Sequence, residues 1–180
     1  PHRQDGSFVP DQVLHGGERM ALSELTTLRV IHTPGHASNH LCYVLEEEKT
    51  LFTGDHLMQA STVVINPPDG DMAAYLDSLR ALLHEDIEWL APGHGFLMAQ
   101  PRRVIQAVID HRLKREARVL QALRTHGPAT LEQLLPFAYD DVDARLLPVA
   151  ARSLLAHLNK LRHEGVVVEV GGVWRCAANA

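Results

Sequence analysis

A chain of 180 residues with 46% hydrophobic residues, 22% charged residues and a net charge of −5 has ordinary globular composition, neither disordered nor fibrous. Two cysteines, Cys42 and Cys176, make no disulfide framework, and no apolar run nears the ~20 residues that span a bilayer, so a cytoplasmic protein with no membrane partner is expected. The charge is uneven: residues 1–111 carry 7 Lys/Arg against 15 Asp/Glu, a balance of −8, and residues 112–180 carry 10 against 7, a balance of +3. That split suggests two units, 1–111 and 112–180, with different partners.

The opening, Pro1-His2-Arg3-Gln4-Asp5-Gly6, is too polar for a signal peptide. Phe8 to Leu25, with Gly16-Gly17 inside it, reads as a hairpin or loop. Leu28–His32 is a short β-type run stopped by Pro34-Gly35. Leu41–Leu45 and Thr50–Thr53 are two further strands joined by an acidic turn, Glu46 to Lys49, whose charges read as solvated. Ser61 to Asp71 is irregular and turns at Pro67-Pro68-Asp69-Gly70. Asp71 then sits as an N-cap before a helix whose apolar face is Met72, Tyr75, Leu76, Leu79, Leu82 and Leu83. Ile87–Leu90 is a short strand running into Ala91-Pro92-Gly93-His94-Gly95.

From Pro101 a long helix is expected to run to Gly127, with Val104, Ile105, Val108 and Ile109 on one face. Thr130 to Tyr139 reads as a second helix capped by Thr130, and a leucine stripe from Leu147 to Leu161 marks a third that stops at Gly165. Val166–Val170 and Val173–Cys176 form a hairpin turning at Gly171-Gly172. Three helices and a hairpin are the winged-helix order. Arg152, Lys160, Arg162 and His163 lie where a DNA-reading helix would present side chains, yet Glu164 and Glu169 flank the wing, which favours packing or dimer contacts over DNA.

Three turns carry chemistry: Thr33-Pro34-Gly35-His36, Thr53-Gly54-Asp55-His56 and Ala91-Pro92-Gly93-His94-Gly95. Each sets a histidine or aspartate directly after a glycine at the end of an apolar strand. Glycine permits the sharp bend, and imidazole with carboxylate is the donor chemistry of zinc, manganese and iron. One such turn alone is a weak signal; three in this order are a strong one.

TPGHA, LFTGD and APGHG, with the downstream NPPDGDM, resemble the later metal motifs of the metallo-β-lactamase superfamily, in the branch that carries a C-terminal winged-helix domain. The resemblance implies an α+β fold: half of a metallo-β-lactamase αββα sandwich followed by a winged-helix-like domain. It implies His36, Asp55 and His94 as metal ligands, with Asp55 bridging two ions, zinc being expected and manganese or iron the alternatives. A metal-bound hydroxide attacking an ester, thioester or phosphodiester is the implied reaction, and single-stranded RNA is one implied substrate. β-Lactam hydrolysis is less expected, because Asp55 replaces the second-metal cysteine of the common lactamases. The departure is clear: the family's His-x-His-x-Asp-His motif is absent from this sequence. The retained ligands therefore describe part of a site, and this chain alone is as compatible with no bound metal. A half-sandwich also bares an apolar sheet face, which a missing N-terminal half, a second copy or a rearranged packing would have to cover.

Other polar residues have plainer readings. His32, His36 and His40 are spaced by four, but Pro34-Gly35 rules out a helical metal face. His32, His40, His56, Asn66, Asp69 and Tyr75 are candidates to support the ligands or meet substrate, against structural roles in loops and a helix cap. His84, His111, His126, His157 and His163 read as helix-surface residues. The competing function is an inactive or truncated chain acting as a winged-helix module that binds nucleic acid or protein.

Overall fold

A computed structural model describes residues 9–178. The opening stretch, with His2 and Phe8, lies outside the described residues. Four strands, β1 (Arg19–Ser23), β2 (Thr26–His32), β3 (Leu41–Leu45) and β4 (Thr50–Gly54), form an antiparallel meander. Helix α1 (Met72–Leu82) then crosses over so that β5 (Trp89–Pro92) pairs parallel to β4, and β6 (Met98–Ala99) adds antiparallel to β5. Spatial order in the sheet is sequence order.

Register decides which face meets the helices. Paired residues share a face, and Val44, Leu51 and Leu90 fall in one cross-strand row. With Cys42 they are buried against Met72, Tyr75, Leu76, Leu79 and Leu82 of α1 and Ile105 and Ile109 of α2 (Pro101–His126). The neighbouring row, Tyr43, Phe52 and Ala91, points the other way. On that face Phe52 is 44% and Trp89 43% exposed. Helices cover one side of this sheet, so the half-sandwich expectation matches the layers seen.

Asp71 caps α1 through a hydrogen bond accepted from the Ala74 amide at 2.9 Å. Helix α2 starts differently, with Gln100 in the left-handed region (φ 59°), no side-chain cap and Pro101 in its first turn. It stops at Gly127, φ 75°. Its first half feeds the sheet core, and its second half supplies Val119, Ala122 and Leu123 to a separate apolar cluster.

That second cluster is the tail. After a two-residue strand β7 (Ala129–Thr130), helix α3 (Leu131–Ala138), helix α4 (Leu147–His163) and strands β8 (Val167–Val170) and β9 (Val173–Cys176) follow the winged-helix order, and β7 pairs with β9. Thr130 forms a full capping box with Gln133. Leu134, Leu154, Leu158, Leu161, Val167 and Trp174 make the core. Two surface expectations are corrected here. His157 is fully buried, and Lys160 is buried beneath Glu116 and Glu164, which it contacts at 2.8 Å each. Both side chains face α2 because α4 packs on it, and the buried stripe is wider than the leucines alone indicate. Arg162 lies over the Trp174 ring at 5.6 Å.

Candidate metal centre

Parallel pairing of β4 with β5 sends both strands out at the same edge, with Gly54 opposite Pro92. The Gly93 amide donates to the Gly54 carbonyl at 2.8 Å, which locks the two turns together. Asp55 and His94 thereby meet, Nε2 to Oδ1 at 3.4 Å, with side chains 46% and 74% exposed. Gly93 is closely packed. A Cβ there would sit 3.1 Å from the Gly54 oxygen and 3.3 Å from Asp55 Oδ1.

The third turn leaves β2. Gly35 adopts φ 136°, and a Cβ on it would fall 2.3 Å from the Tyr75 Cα, so α1 packs directly on the turn. The Asp71 amide donates to Gly35 O at 2.8 Å, and the Ser78 hydroxyl to Pro34 O at 2.8 Å. This fixes His36, whose Nδ1 donates to the Val64 carbonyl at 2.8 Å. That bond selects the tautomer in which Nε2 keeps its lone pair, the form a metal needs.

A row of rings backs these turns. His40 shares a hydrogen bond with the Thr33 hydroxyl at 2.8 Å, and its ring lies 6.3 Å from His36 and 5.5 Å from His56. Burial holds His40 below the ordinary imidazole range, and the neighbouring His36 adds to that. His56 is fully buried, and neither ring nitrogen has a partner among the described residues. Burial first, then His40 and His36, pushes its pKa down to about 3, so it is neutral at physiological pH. Tyr75 is buried under it, with ring centroids 4.8 Å apart, and its hydroxyl donates to the His56 carbonyl at 2.9 Å.

The other sequence candidates shape loops. His32 donates from Nε2 to Ser38 O at 2.9 Å on an exposed edge. The Asp69 carboxylate accepts from the Ser38 amide and hydroxyl at 3.0 and 2.7 Å. Asn66 is exposed, and its carbonyl accepts from the Gly70 amide at 2.9 Å. Sequence reasoning does not reach Gln59, whose side-chain oxygen accepts from the Phe96 amide at 2.9 Å and whose backbone amide donates to His94 O at 3.3 Å. The one local hint is Gly95, where a Cβ would strike Gln59 at 2.5 Å.

His36, Asp55 and His94 offer the nitrogen and oxygen donors that suit zinc, manganese or iron. The geometry supplies part of a donor set: among the described residues, no three His, Cys, Asp or Glu side chains are grouped to hold a metal.

A family described as the metallo-beta-lactamase superfamily matches residues 7–94, and a beta-lactamase associated winged helix domain matches residues 130–174. A beta-lactamase-like protein 2 homolog from Drosophila melanogaster is 32% identical over 145 residues, covering 79% of this chain and 48% of that protein. The chain belongs to the metallo-β-lactamase superfamily. An atrochrysone carboxyl ACP thioesterase from Aspergillus chevalieri is 38% identical over 101 residues, covering 56% of this chain and 32% of that protein. A solved metallo-beta-lactamase family protein from Thermus thermophilus superposes with a TM-score of 0.79 at 28% identity, covering 91% of this chain and 53% of that one. This metallo-β-lactamase-superfamily chain thus spans about half the length of the first of these relatives and of the solved structure.

Proposed function

We propose that this chain is the Asp55–His94 side of a metal-dependent hydrolase acting on an ester or thioester. The observation that carries the reading is the 3.4 Å approach of His94 to Asp55, made by two turns joined through Gly93. His36, on the neighbouring turn, would be a further donor, its Nε2 left free by the bond from Nδ1 to Val64 O. A divalent cation held there, zinc in the first instance, would supply Lewis acidity to the scissile group. The protein's own part is to aim the Asp55–His94 pair and to back it with the buried neutral His56 and the Tyr75 ring.

Remaining ligands would come from a second half-sandwich lying on the Phe52–Trp89 face, as a further polypeptide segment or a second copy. Burying those aromatics is the favourable term for that association. A thioester is preferred to RNA for two reasons. Several similar proteins are named as acyl-carrier-protein thioesterases. Two of the tail's cations are also engaged, Lys160 with Glu116 and Glu164, and Arg162 on Trp174.

Zinc titration by calorimetry tests the donor set, with the Asp55→Ala/His94→Ala double variant expected to bind zinc at least about ten-fold more weakly. Equal affinity in that variant would overturn the assignment. Substrate choice is tested by giving the zinc-loaded protein an acyl-N-acetylcysteamine thioester and a single-stranded RNA. Cleavage of the RNA alone would overturn the thioester reading.

A further inference from the structure

His94 sits on a turn that burial does not hold. Residues 93–97 are all exposed, Phe96 at 80% and Leu97 at 61%. A stretch with so little packing keeps one shape only where hydrogen bonds tie it down. At its near end the tie is the Gly93 amide on the Gly54 carbonyl, at 2.8 Å. At its far end the tie is Gln59. The Gln59 backbone amide donates to the His94 carbonyl at 3.3 Å, and the Gln59 side-chain oxygen accepts from the Phe96 amide at 2.9 Å. The Gln59 side chain lies directly against Gly95, where an added Cβ would fall 2.5 Å from its Cβ and 3.0 Å from its Oε1.

Both ties come from one segment, 54–59, which also carries Asp55. That segment is itself anchored from below. The His56 amide donates to Thr53 O, the Thr53 hydroxyl to Leu57 O and the Tyr75 hydroxyl to His56 O, each at 2.9 Å, and His56 and Leu57 are buried. Gln59 follows two residues later and is exposed. The His94 turn is thus fastened on both sides to the segment that bears its partner carboxylate, and Nε2 meets Asp55 Oδ1 at 3.4 Å. A donor pair already in place loses less freedom on taking up an ion than the same pair on a loose turn, so it binds more tightly.

We infer that Gln59 is a positioning residue for this pair. Its side-chain oxygen holds the Phe96 amide, and through it the His94 turn, on the Asp55 segment; it acts on the turn and not on the ion. The inference rests on Asp55 and His94 being metal donors.

The test compares Gln59→Met, which keeps the length of the side chain without its oxygen, with Gln59→Glu, which keeps an acceptor for the Phe96 amide. In the metal-free chain, hydrogen exchange of the Phe96 amide followed by NMR is expected to be at least about three-fold faster in Gln59→Met and parent-like in Gln59→Glu. Calorimetric titration should show Gln59→Met binding zinc at least about three-fold more weakly than the parent, with the melting temperature kept. Parent-like exchange or parent-like zinc affinity in Gln59→Met overturns the inference, and so does exchange in Gln59→Glu as fast as in Gln59→Met. Zinc affinity that survives Asp55→Ala/His94→Ala overturns the donor assignment instead, a separate failure that leaves the Phe96 exchange rates to decide the tie.

Discussion

Gly35 and Gly93 do different work at neighbouring turns, and alanine separates them. At Gly35 the added Cβ would meet the backbone of Tyr75 at 2.3 Å in a φ of 136°. Neither α1 nor the turn can give way, so Gly35→Ala is expected to cost about 3 kcal/mol or more, read as a lowered urea midpoint. At Gly93 the contacts are 3.1 and 3.3 Å, and one of them is the Asp55 carboxylate. Gly93→Ala should therefore displace Asp55 and weaken zinc binding while stability falls by only about 1 kcal/mol or less. The ligand turns are legible in the sequence because glycine before histidine or aspartate at a strand end is a local signal. Which histidines lie inside is not legible there. His56 and His157 are buried by partners far along the chain, Tyr75 for one and Glu116 for the other.

Elements whose ends are set by side chains within a few residues can be read from the sequence almost to the residue. Asp71 before α1 and Thr130 before α3 are both observed caps. Thr130→Ala removes the oxygen that receives the Gln133 amide and should cost about 1 kcal/mol, measurable as a lower melting temperature. Strand β1 reads in the sequence only as part of a hairpin or loop, since Arg19–Ser23 is largely exposed and shows no alternation of burial. Strands β6 and β7, two residues each, exist through their neighbours in the sheet and have no pattern of their own. Within α4, Leu158 is fully buried in the tail core, and Leu158→Ala is expected to cost about 2–5 kcal/mol in a denaturant melt.

Across the whole molecule, the polar layer between α2 and α4 links stability to pH. His157 is held below the ordinary imidazole range, first by burial, with Glu116 opposing and Arg112 and Lys160 reinforcing. A depressed imidazole means that the unfolded chain takes up the proton first. Its contribution is thus present above about pH 6.5 and is lost as pH falls. Glu116 is also lowered: burial raises it, but His157 and Lys160 outweigh that, so its contribution disappears at more acid pH in the same direction. Denaturant midpoints should fall between about pH 7.5 and 5.5, and His157→Phe should flatten that fall; an unchanged slope would assign it to other groups, such as His56. None of this layer is visible in the sequence, where Glu116 is separated from His157 and Lys160 by the whole of α3.

The single run of α2 has a consequence for how the molecule can be divided. Charge changes sign between residues 111 and 112, yet that point falls inside an unbroken 26-residue helix, about 39 Å long at the usual rise. A break there would leave stubs of 11 and 15 residues on either side, each near or below the length at which a helix holds itself together in water. Ile105 and Ile109 would lose their rod on one side, and Val119 and Leu123 on the other. The sheet and the winged tail therefore share one rod, its first half packed in one core and its second half in the other.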